Sequence, residues 1–343
     1  MKHLAICALL IGSLSLCLPA QNPPAVGYHL IHEYKLGGDT GWDYLNMDAS
    51  SRRLYVSHGT HVQVLNIDTG KVEGDITDLK GVHGIALDKA ANKGYISDGR
   101  DNSVVVFDLK TLKQTGKVQA GTNPDAILFD PATKRVFAFN GRSGNATVIE
   151  SKDNSVAGTI DLGGKPEFAV SDGKGKIFVN LEDKSSLVEL DAKELKVLNT
   201  WSLSPGEGPS GLAIDPDHEV LFSGCDNEKM VIVDGNSGKV LATETIGKGV
   251  DATAFDPGLK QAYSSNGQSG TITVVKENSP TSFAVVGDVT TKPRARTMTV
   301  DENTHNLITV TAQFETQPEP TPGQQRQRPK MVPDSFEVLV YGK

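Results

Sequence analysis

A short apolar phrase recurs seven times along the chain and ends each time in aspartate. It reads WDYLNMD at its first occurrence and ARTMTVD at its last, and its final residues are Asp48, Asp88, Asp130, Asp172, Asp215, Asp256 and Asp301. Successive aspartates lie 40, 42, 42, 43, 41 and 45 residues apart. Self-similarity at so regular a period indicates a repeat architecture, in which stacked units of supersecondary structure share a core.

Each repeat divides into four short apolar segments separated by turn residues. In the third repeat PDAILFD, RVFAF and ATVIESK are separated by the polar stretches DPATKR and NGRSGN, and a fourth segment in other repeats begins near a Lys-Val pair, as in KVEGDI. Asp, Pro, Asn and Gly favour turns because they bond to nearby backbone groups or preset φ. Four strands per repeat predict an all-β, seven-bladed β-propeller with four antiparallel strands in each blade.

The two ends of the chain predict how the ring closes. The seventh repeat stops at Lys343 after its third strand, whereas an unassigned strand, YHLIHEYKLGG at 28–38, precedes the first repeat. We expect this N-terminal strand to complete the last blade, because closure removes the exposed sheet edges that promote aggregation. Its apolar residues should then be buried, namely Leu30, Ile31, Tyr34 and Leu36.

The second strands carry a recognisable phrase. Tyr-Val-Ser-His at 55–58, Tyr-Ile-Ser-Asp at 95–98 and Tyr-Ser-Ser-Asn at 263–266 resemble the Tyr-Val-Thr-Asn phrase of the YVTN-repeat propellers, which include the YncE-like exported bacterial proteins. The resemblance covers residues 28–343 and departs most in repeats four, five and seven, with FVNL, FSGC and ITVT. It implies a periplasmic or surface-exposed binding scaffold with WD40-like repeats and no particular chemistry.

Residues 1–20 differ from the rest of the chain. A basic start is followed by an apolar run from Leu4 to Leu18 and a small residue at Ala20, which is typical of a secretory signal peptide. Lipidation at Cys17 is the alternative, disfavoured by the large Leu16 before it. We therefore expect a periplasmic or secreted, monomeric protein with a single propeller domain at 21–343 and no transmembrane segment after cleavage.

Composition excludes several classes of function. The net charge of −8 opposes binding to nucleic acid, whose phosphates are negative. The sequence has no G-x-S-x-G elbow, P-loop, dinucleotide fingerprint or C-x-x-C pair. Cys225, the one cysteine after signal cleavage, is expected to be a buried thiol rather than a nucleophile. A non-catalytic scaffold for a protein or small-molecule ligand is thus favoured over an enzyme.

One position per repeat, five residues before each repeated aspartate, should lie at the mouth of the central channel. We call these positions the first ring: Asp43, His83, Asp125, Glu167, Ser210, Asp251 and Arg296. Propeller loops of this kind commonly carry binding residues on a rigid framework. Polar side chains beside a water-filled channel are also expected without any ligand, so both interpretations stay open.

The first ring suggests two kinds of chemistry. His83 with Asp43 and Asp125 could hold a divalent metal, because imidazole and carboxylate suit ions such as Zn and Mn. Arg296 could instead bind an anionic ligand. The rival to a binding scaffold is a metal-assisted hydrolase or lyase that uses His83 with Asp125 or Glu167 at the channel mouth.

Ten residues after each repeated aspartate lies a second set of positions, the second ring, expected on the same face. Its ligand-binding candidates are His58, Asp98, Asn140 and Asn266, and its other members are Cys225, Thr311 and Leu181, which lies only nine residues after Asp172 because the fourth repeat is one residue shorter. The Pro- and Gln-rich stretch at 315–335 interrupts the last repeat and is expected to be a flexible insertion on this face. It would serve as a lid or docking loop, or be a tolerated surface insertion.

Overall fold

In the computed structural model, which describes residues 26–316 and 329–343, the seven repeats form seven four-stranded antiparallel sheets. This confirms the predicted all-β, seven-bladed propeller. The expected signal segment, 1–20, and positions 317–328 of the insertion lie outside the described residues.

Strand β1 precedes the first repeat, and blades 1 to 3 follow with four strands each, ordered from the channel outward. β1 spans His29–Lys35. Blade 1 comprises β2 (Trp42–Asp48), β3 (Arg53–His58), β4 (His61–Asn66) and β5 (Val72–Ile76). Blade 2 comprises β6 (Val82–Asp88), β7 (Lys93–Asp98), β8 (Ser103–Asp108) and β9 (Gln114–Gln119). Blade 3 comprises β10 (Pro124–Asp130), β11 (Arg135–Asn140), β12 (Asn145–Glu150) and β13 (Val156–Asp161).

Blades 4 to 6 repeat this order. Blade 4 comprises β14 (Pro166–Ser171), β15 (Lys176–Leu181), β16 (Ser186–Asp191) and β17 (Lys196–Ser202). Blade 5 comprises β18 (Pro209–Asp215), β19 (Val220–Cys225), β20 (Lys229–Asp234) and β21 (Val240–Thr245). Blade 6 comprises β22 (Val250–Asp256), β23 (Gln261–Asn266), β24 (Thr271–Ser279) and β25 (Ser282–Thr290). Two single-turn 3-10 helices occupy Gly99–Asp101 and Glu182–Lys184.

Blade 7 is assembled from both ends of the described chain. It comprises β26 (Arg296–Asp301), β27 (Asn306–Thr311), β28 (Glu337–Gly342) and, as its outermost strand, β1. β1 runs antiparallel to β28, from His29 opposite Gly342 to Lys35 opposite Glu337. The predicted closure is therefore confirmed, and the first and last repeats are held in one sheet.

Burial of the closing strand is less complete than its sequence predicts. Ile31, Tyr34 and Leu36 pack against the core between blades 7 and 1. Leu30, however, is 39% exposed. β1 is the outermost strand and has a bulge between Leu30 and His32, and only Ile31 and Tyr34 along it are partly buried. The expectation that Leu30 is buried was wrong for this reason.

The repeated aspartates are buried, and each one accepts a backbone N–H from the turn that follows it. The donors are the amides of Ser50, Ala91, Thr133, Lys174, Asp217, Gly258 and Asn303. Six of the seven carboxylates also accept a hydrogen bond from a side chain of the next blade. Those donors are Lys89, Ser151, Ser171, Lys260, His305 and Arg52. The repeated residue thus fixes its own turn and joins neighbouring blades.

The closing strand β1 is expected to be required for a monomeric protein that resists protease. A chain that starts at residue 38 lacks β1, so it exposes the edge of β28 and the apolar surface beneath Ile31 and Tyr34. We expect this chain to aggregate or to be cleaved rapidly by protease, whereas a chain starting at residue 21 stays monomeric. Size-exclusion chromatography and limited proteolysis measure the difference. A soluble monomer with cooperative unfolding after the truncation would contradict the role assigned to β1.

Candidate functional site

The first-ring residues project from a bulge at the start of each inner strand. In blade 1 the pairing of β2 with β3 passes from Trp42–His58 to Leu45–Val56, so β2 carries one extra residue there. The same irregularity follows the first residue of the inner strand in every blade. A β-bulge bends its strand and re-aims a side chain. In blades 1 to 6 the re-aimed position is the second residue of the strand, which is the predicted first-ring residue.

Serine hydroxyls support this bulge in three blades. Ser57 Oγ accepts the Asp43 amide at 3.1 Å, and Ser97 and Ser265 accept the Gly84 and Ala252 amides at 2.8 and 3.2 Å. These serines are the third residues of the Tyr-x-Ser phrases in the second strands. They satisfy amides that the bulge removes from the sheet ladder, so the phrase that marks the repeat also positions the first ring.

All seven first-ring positions line one cavity at the mouth of the channel, which we call the cup. Its volume is about 670 Å³. Tyr44 and Phe168 lie beside it, and their rings meet across the channel from blades 1 and 4 with centroids 4.6 Å apart. Each follows a first-ring residue by one position, so the aromatic pair forms the floor of the cup. Sequence reasoning missed this floor, since a contact across the ring leaves no periodic signal.

Three of the predicted residues come within coordination range of one another. His83 Nδ1 lies 2.5 Å from Asp43 Oδ2 and 3.6 Å from Asp125 Oδ1. One ligand atom from each of the three lies within 4.8 Å of the others. Burial disfavours the charged form of His83, but the hydrogen bond to Asp43 and the charge of Asp125 outweigh it and raise its pKa to about 9. The imidazole is therefore held as a cation between two carboxyl groups.

The negative charges of the carboxyl groups in the cup are only partly neutralised by its cations. Burial and the charge of Asp43 raise the pKa of Asp125 to about 6. Burial and the charge of Asp125 raise the pKa of Glu167 to about 8, although Lys165 Nζ lies 2.7 Å from it. Burial also raises the pKa of Asp251, and Arg296 opposes that rise. Such a set favours an added proton or an added cation.

Arg296 already has a partner inside the cup. Its Nη1 donates to Asp251 Oδ1 at 2.9 Å, its Nη2 donates to the Trp42 carbonyl at 3.3 Å, and the guanidinium lies over the Trp42 ring. The side chain is 44% exposed. Arg296 thus lies at the rim as half of an ion pair rather than as a free anion clamp.

The second-ring candidates lie inside the sheets rather than in the cup. Each of the four pairs with the first residue of its inner strand, and all four are buried: His58, Asp98, Asn140 and Asn266. Asp98 accepts the Lys80 and Gly81 amides, and the two asparagines donate to threonine hydroxyls. These hydrogen bonds hold the loops on the face that carries the cup, and a ligand-binding role for the four buried residues stays a prediction from the sequence.

Cys225 is a buried thiol, as the sequence suggested. Its side chain is fully covered, and burial raises its pKa to about 11. A thiol with so high a pKa carries almost no thiolate at neutral pH. Its place in the core argues against a nucleophilic role.

A second cavity of about 920 Å³ adjoins the cup and shares Trp42, Asp251 and Arg296 with it. The base of the insertion contributes Phe314, Pro329 and Met331 to its wall. Phe314 and Met331 pair as an antiparallel bridge, so the insertion leaves and rejoins the propeller on the face that carries the cup. The position of the insertion agrees with the sequence expectation, whereas its flexibility concerns residues outside those described.

Comparisons with known proteins identify the fold class. No protein-family model and no curated protein matches the chain. Among solved structures, U3-55K and the RRP9 WD40 repeats are each 9% identical with a TM-score of 0.74, over 93% of this chain and 99% and 98% of theirs. Hydrazine synthase of Kuenenia stuttgartiensis is 14% identical with a TM-score of 0.68, over 79% of this chain and 92% of that one.

These similarities show a seven-bladed propeller with WD40-type structural neighbours, and at such identities they extend to the fold alone. The YVTN-repeat, YncE-like assignment stays a prediction from the residues. Over 26–316 and 329–343, no helix is both long and apolar enough to cross a membrane.

The raised pKa of Glu167 gives a prediction for pH dependence. Between its ordinary value of 4.5 and about 8, the folded protein binds more protons at this residue than the unfolded chain does. The free energy of unfolding should therefore fall as pH rises through this window, by at most about 1.4 kcal/mol per pH unit for one group. We expect Glu167→Gln to flatten that fall in chelator-treated protein, as measured by urea unfolding from pH 5.5 to 7.5. Glu194→Gln, on an exposed turn, is the control, and parallel curves for wild type and Glu167→Gln would contradict the prediction.

Proposed function

We propose that this protein is an exported binding scaffold that takes a small polar ligand into the cup, together with a divalent cation held by Asp43, His83 and Asp125. The observation that supports this most directly is convergence. Side chains from all seven blades, spread from position 43 to position 296, line one cavity. Export is proposed from residues 1–20, and the identity of the ligand from the chemistry of the cup.

The donor set supports a cation. One imidazole nitrogen and two carboxylates suit Zn²⁺ or Mn²⁺. Bonds of about 2.0–2.2 Å place two ligand atoms of one ion at most about 4.4 Å apart, so donors within 4.8 Å need only small movements. The ion would replace the proton that His83 now shares with Asp43, and it would offset the charge that raises the pKa of Asp125.

The rest of the cup supports a ligand bound to that cation. Three protein ligands leave coordination positions open, as sites that exchange water for a ligand require. The aromatic floor of Tyr44 and Phe168 offers apolar contact, while Arg100 and Arg296 bring positive charge to the lining of the cup. A small molecule with one metal-binding end and a short apolar part fits this combination.

Cation binding by the cup is directly testable. After treatment with EDTA, the chain starting at residue 21 should bind Zn²⁺ or Mn²⁺ in calorimetric titrations. His83→Ala and Asp43→Asn should weaken that binding at least about tenfold, because each removes a ligand. Ser210→Ala is the matched control, since it changes a first-ring position that carries no metal ligand. Equal affinity in all four proteins would remove the cation from the proposal. An anion that stabilises wild type but not Arg296→Ala would point to an anion site instead.

A metal-assisted hydrolase or lyase is the second candidate, and one observation favours it. The Glu167 carboxyl has a pKa of about 8 and faces the same cavity as His83 and Asp125, so it is protonated at neutral pH. A shifted carboxyl in a cleft is typical of a general acid. We expect any turnover of chromogenic lactones or esters to be lost in Glu167→Gln while cation affinity is retained. Absence of turnover by metal-loaded wild type across such a panel would leave the binding scaffold as the better proposal.

A further inference from the structure

A second group of metal-type donors lies on the opposite face of the propeller, where blades 5 and 6 meet. Asp215 ends the inner strand β18, and His218 follows it in the turn. Glu277 lies near the end of β24 in blade 6. Ser210 of the first ring lies at the other end of β18 from Asp215, so this group is separated from the cup by the length of an inner strand.

The geometry places one imidazole nitrogen between two buried carboxylates. His218 Nδ1 lies 2.8 Å from Asp215 Oδ2 and 2.8 Å from Glu277 Oε1. The side chains of Asp215 and Glu277 are 0% and 1% exposed, whereas His218 is 38% exposed. One ligand atom from each residue lies within 4.8 Å of the others. His218 is therefore the member of the group that is open to solvent.

Hydrogen bonds do not satisfy all the polar atoms of this group. Nδ1 carries either one proton or one lone pair, so it cannot make two full hydrogen bonds to separate carboxylates. The other oxygen of Glu277, Oε2, is buried and has no hydrogen-bond partner among the described residues. A buried carboxylate oxygen without a partner is costly. Both observations show that one more positive charge, a proton or a cation, between the two acids would be stabilised.

Lys260 contacts one of the two acids, Asp215, but not Glu277. Its Nζ lies 3.3 Å from both oxygens of Asp215 and 3.0 Å from Asp217 Oδ2, and it makes no ion pair with Glu277 among the described contacts. Asp217 is 72% exposed and provides the ammonium with its shorter contact. Lys260 can therefore keep a partner when Asp215 turns toward another cation.

The next junction of the ring offers an internal comparison. His305 Nδ1 of blade 7 contacts the buried Asp256 Oδ2 of blade 6 at 2.8 Å, so His305 takes the place that Lys260 has beside Asp215. No second carboxylate completes a three-donor group there within the described residues. A histidine beside a repeated aspartate thus joins two blades without a third donor, whereas His218 and Glu277 together distinguish the junction of blades 5 and 6.

We propose that Asp215, His218 and Glu277 form a second divalent-cation site, of the zinc class, that joins blades 5 and 6 independently of the cup. One nitrogen and two oxygen donors suit Zn²⁺, and the remaining positions face solvent beside the exposed imidazole. Binding of the ion releases the Nδ1 proton to solvent and satisfies the second Glu277 oxygen. Since two blades supply the ligands, the ion stabilises their junction.

The test uses protein whose cup cannot bind metal. The chain starting at residue 21 with His83→Ala and Asp43→Asn is treated with EDTA and titrated with Zn²⁺. We expect one bound ion per chain and a rise in melting temperature. Adding His218→Ala or Glu277→Gln should weaken binding at least about tenfold, whereas adding His305→Ala should leave affinity unchanged. Co²⁺ absorption provides a second readout, and circular dichroism of the metal-free variants verifies that each one folds.

The outcomes separate this site from the cup. No Zn²⁺ binding by the cup-deficient protein, or unchanged binding after both His218→Ala and Glu277→Gln, would overturn the second site. Loss of binding with His305→Ala to the same degree would assign the effect to general loosening of the ring and would also overturn it. Binding here with none in the cup would contradict the proposed cup cation alone.

Discussion

The buried aspartate at the end of each inner strand is the constraint on which the rest of the propeller depends. It accepts the amide of its own turn and, in six of seven blades, a side chain of the next blade. At the ring junction Arg52 forms a bidentate pair with Asp301, at 2.8 and 2.6 Å. A buried carboxylate is costly unless donors surround it, so at these six junctions one blade depends on its neighbour for stability. This dependence makes the ring one cooperative unit.

The sequence predicts the fold and the first ring because both follow from one register. Once the aspartates are aligned, counting back five residues reaches the bulge of every inner strand, and the count survives small changes in loop length. The second ring could not be judged in this way. Asp98 and Asn266 are as polar as Asp43, and their burial follows from pairing with the first residue of the inner strand. Composition and spacing do not indicate which polar side chain faces the sheet and which faces the channel.

Two other contacts could not be predicted from one sequence, for a different reason. Tyr44 meets Phe168, and His218 meets Glu277, across long separations along the chain. Neither contact repeats from blade to blade, so periodicity carries no trace of it. The exposure of Leu30 could not be predicted either, because burial of a side chain on an outermost strand depends on which other parts of the chain cover it. Features that all repeats share can be predicted from the sequence, whereas contacts found in a single blade require the coordinates.

The aromatic pair beneath the cup has a consequence for how a ligand enters and leaves it. Because the rings of Tyr44 and Phe168, from blades 1 and 4, meet across the channel, they narrow the passage between the two faces of the propeller. A ligand that rests on these rings therefore leaves most readily on the side from which it entered. The group of Asp215, His218 and Glu277 lies at the opposite face, an inner-strand length away, so an ion held there would not touch a ligand in the cup.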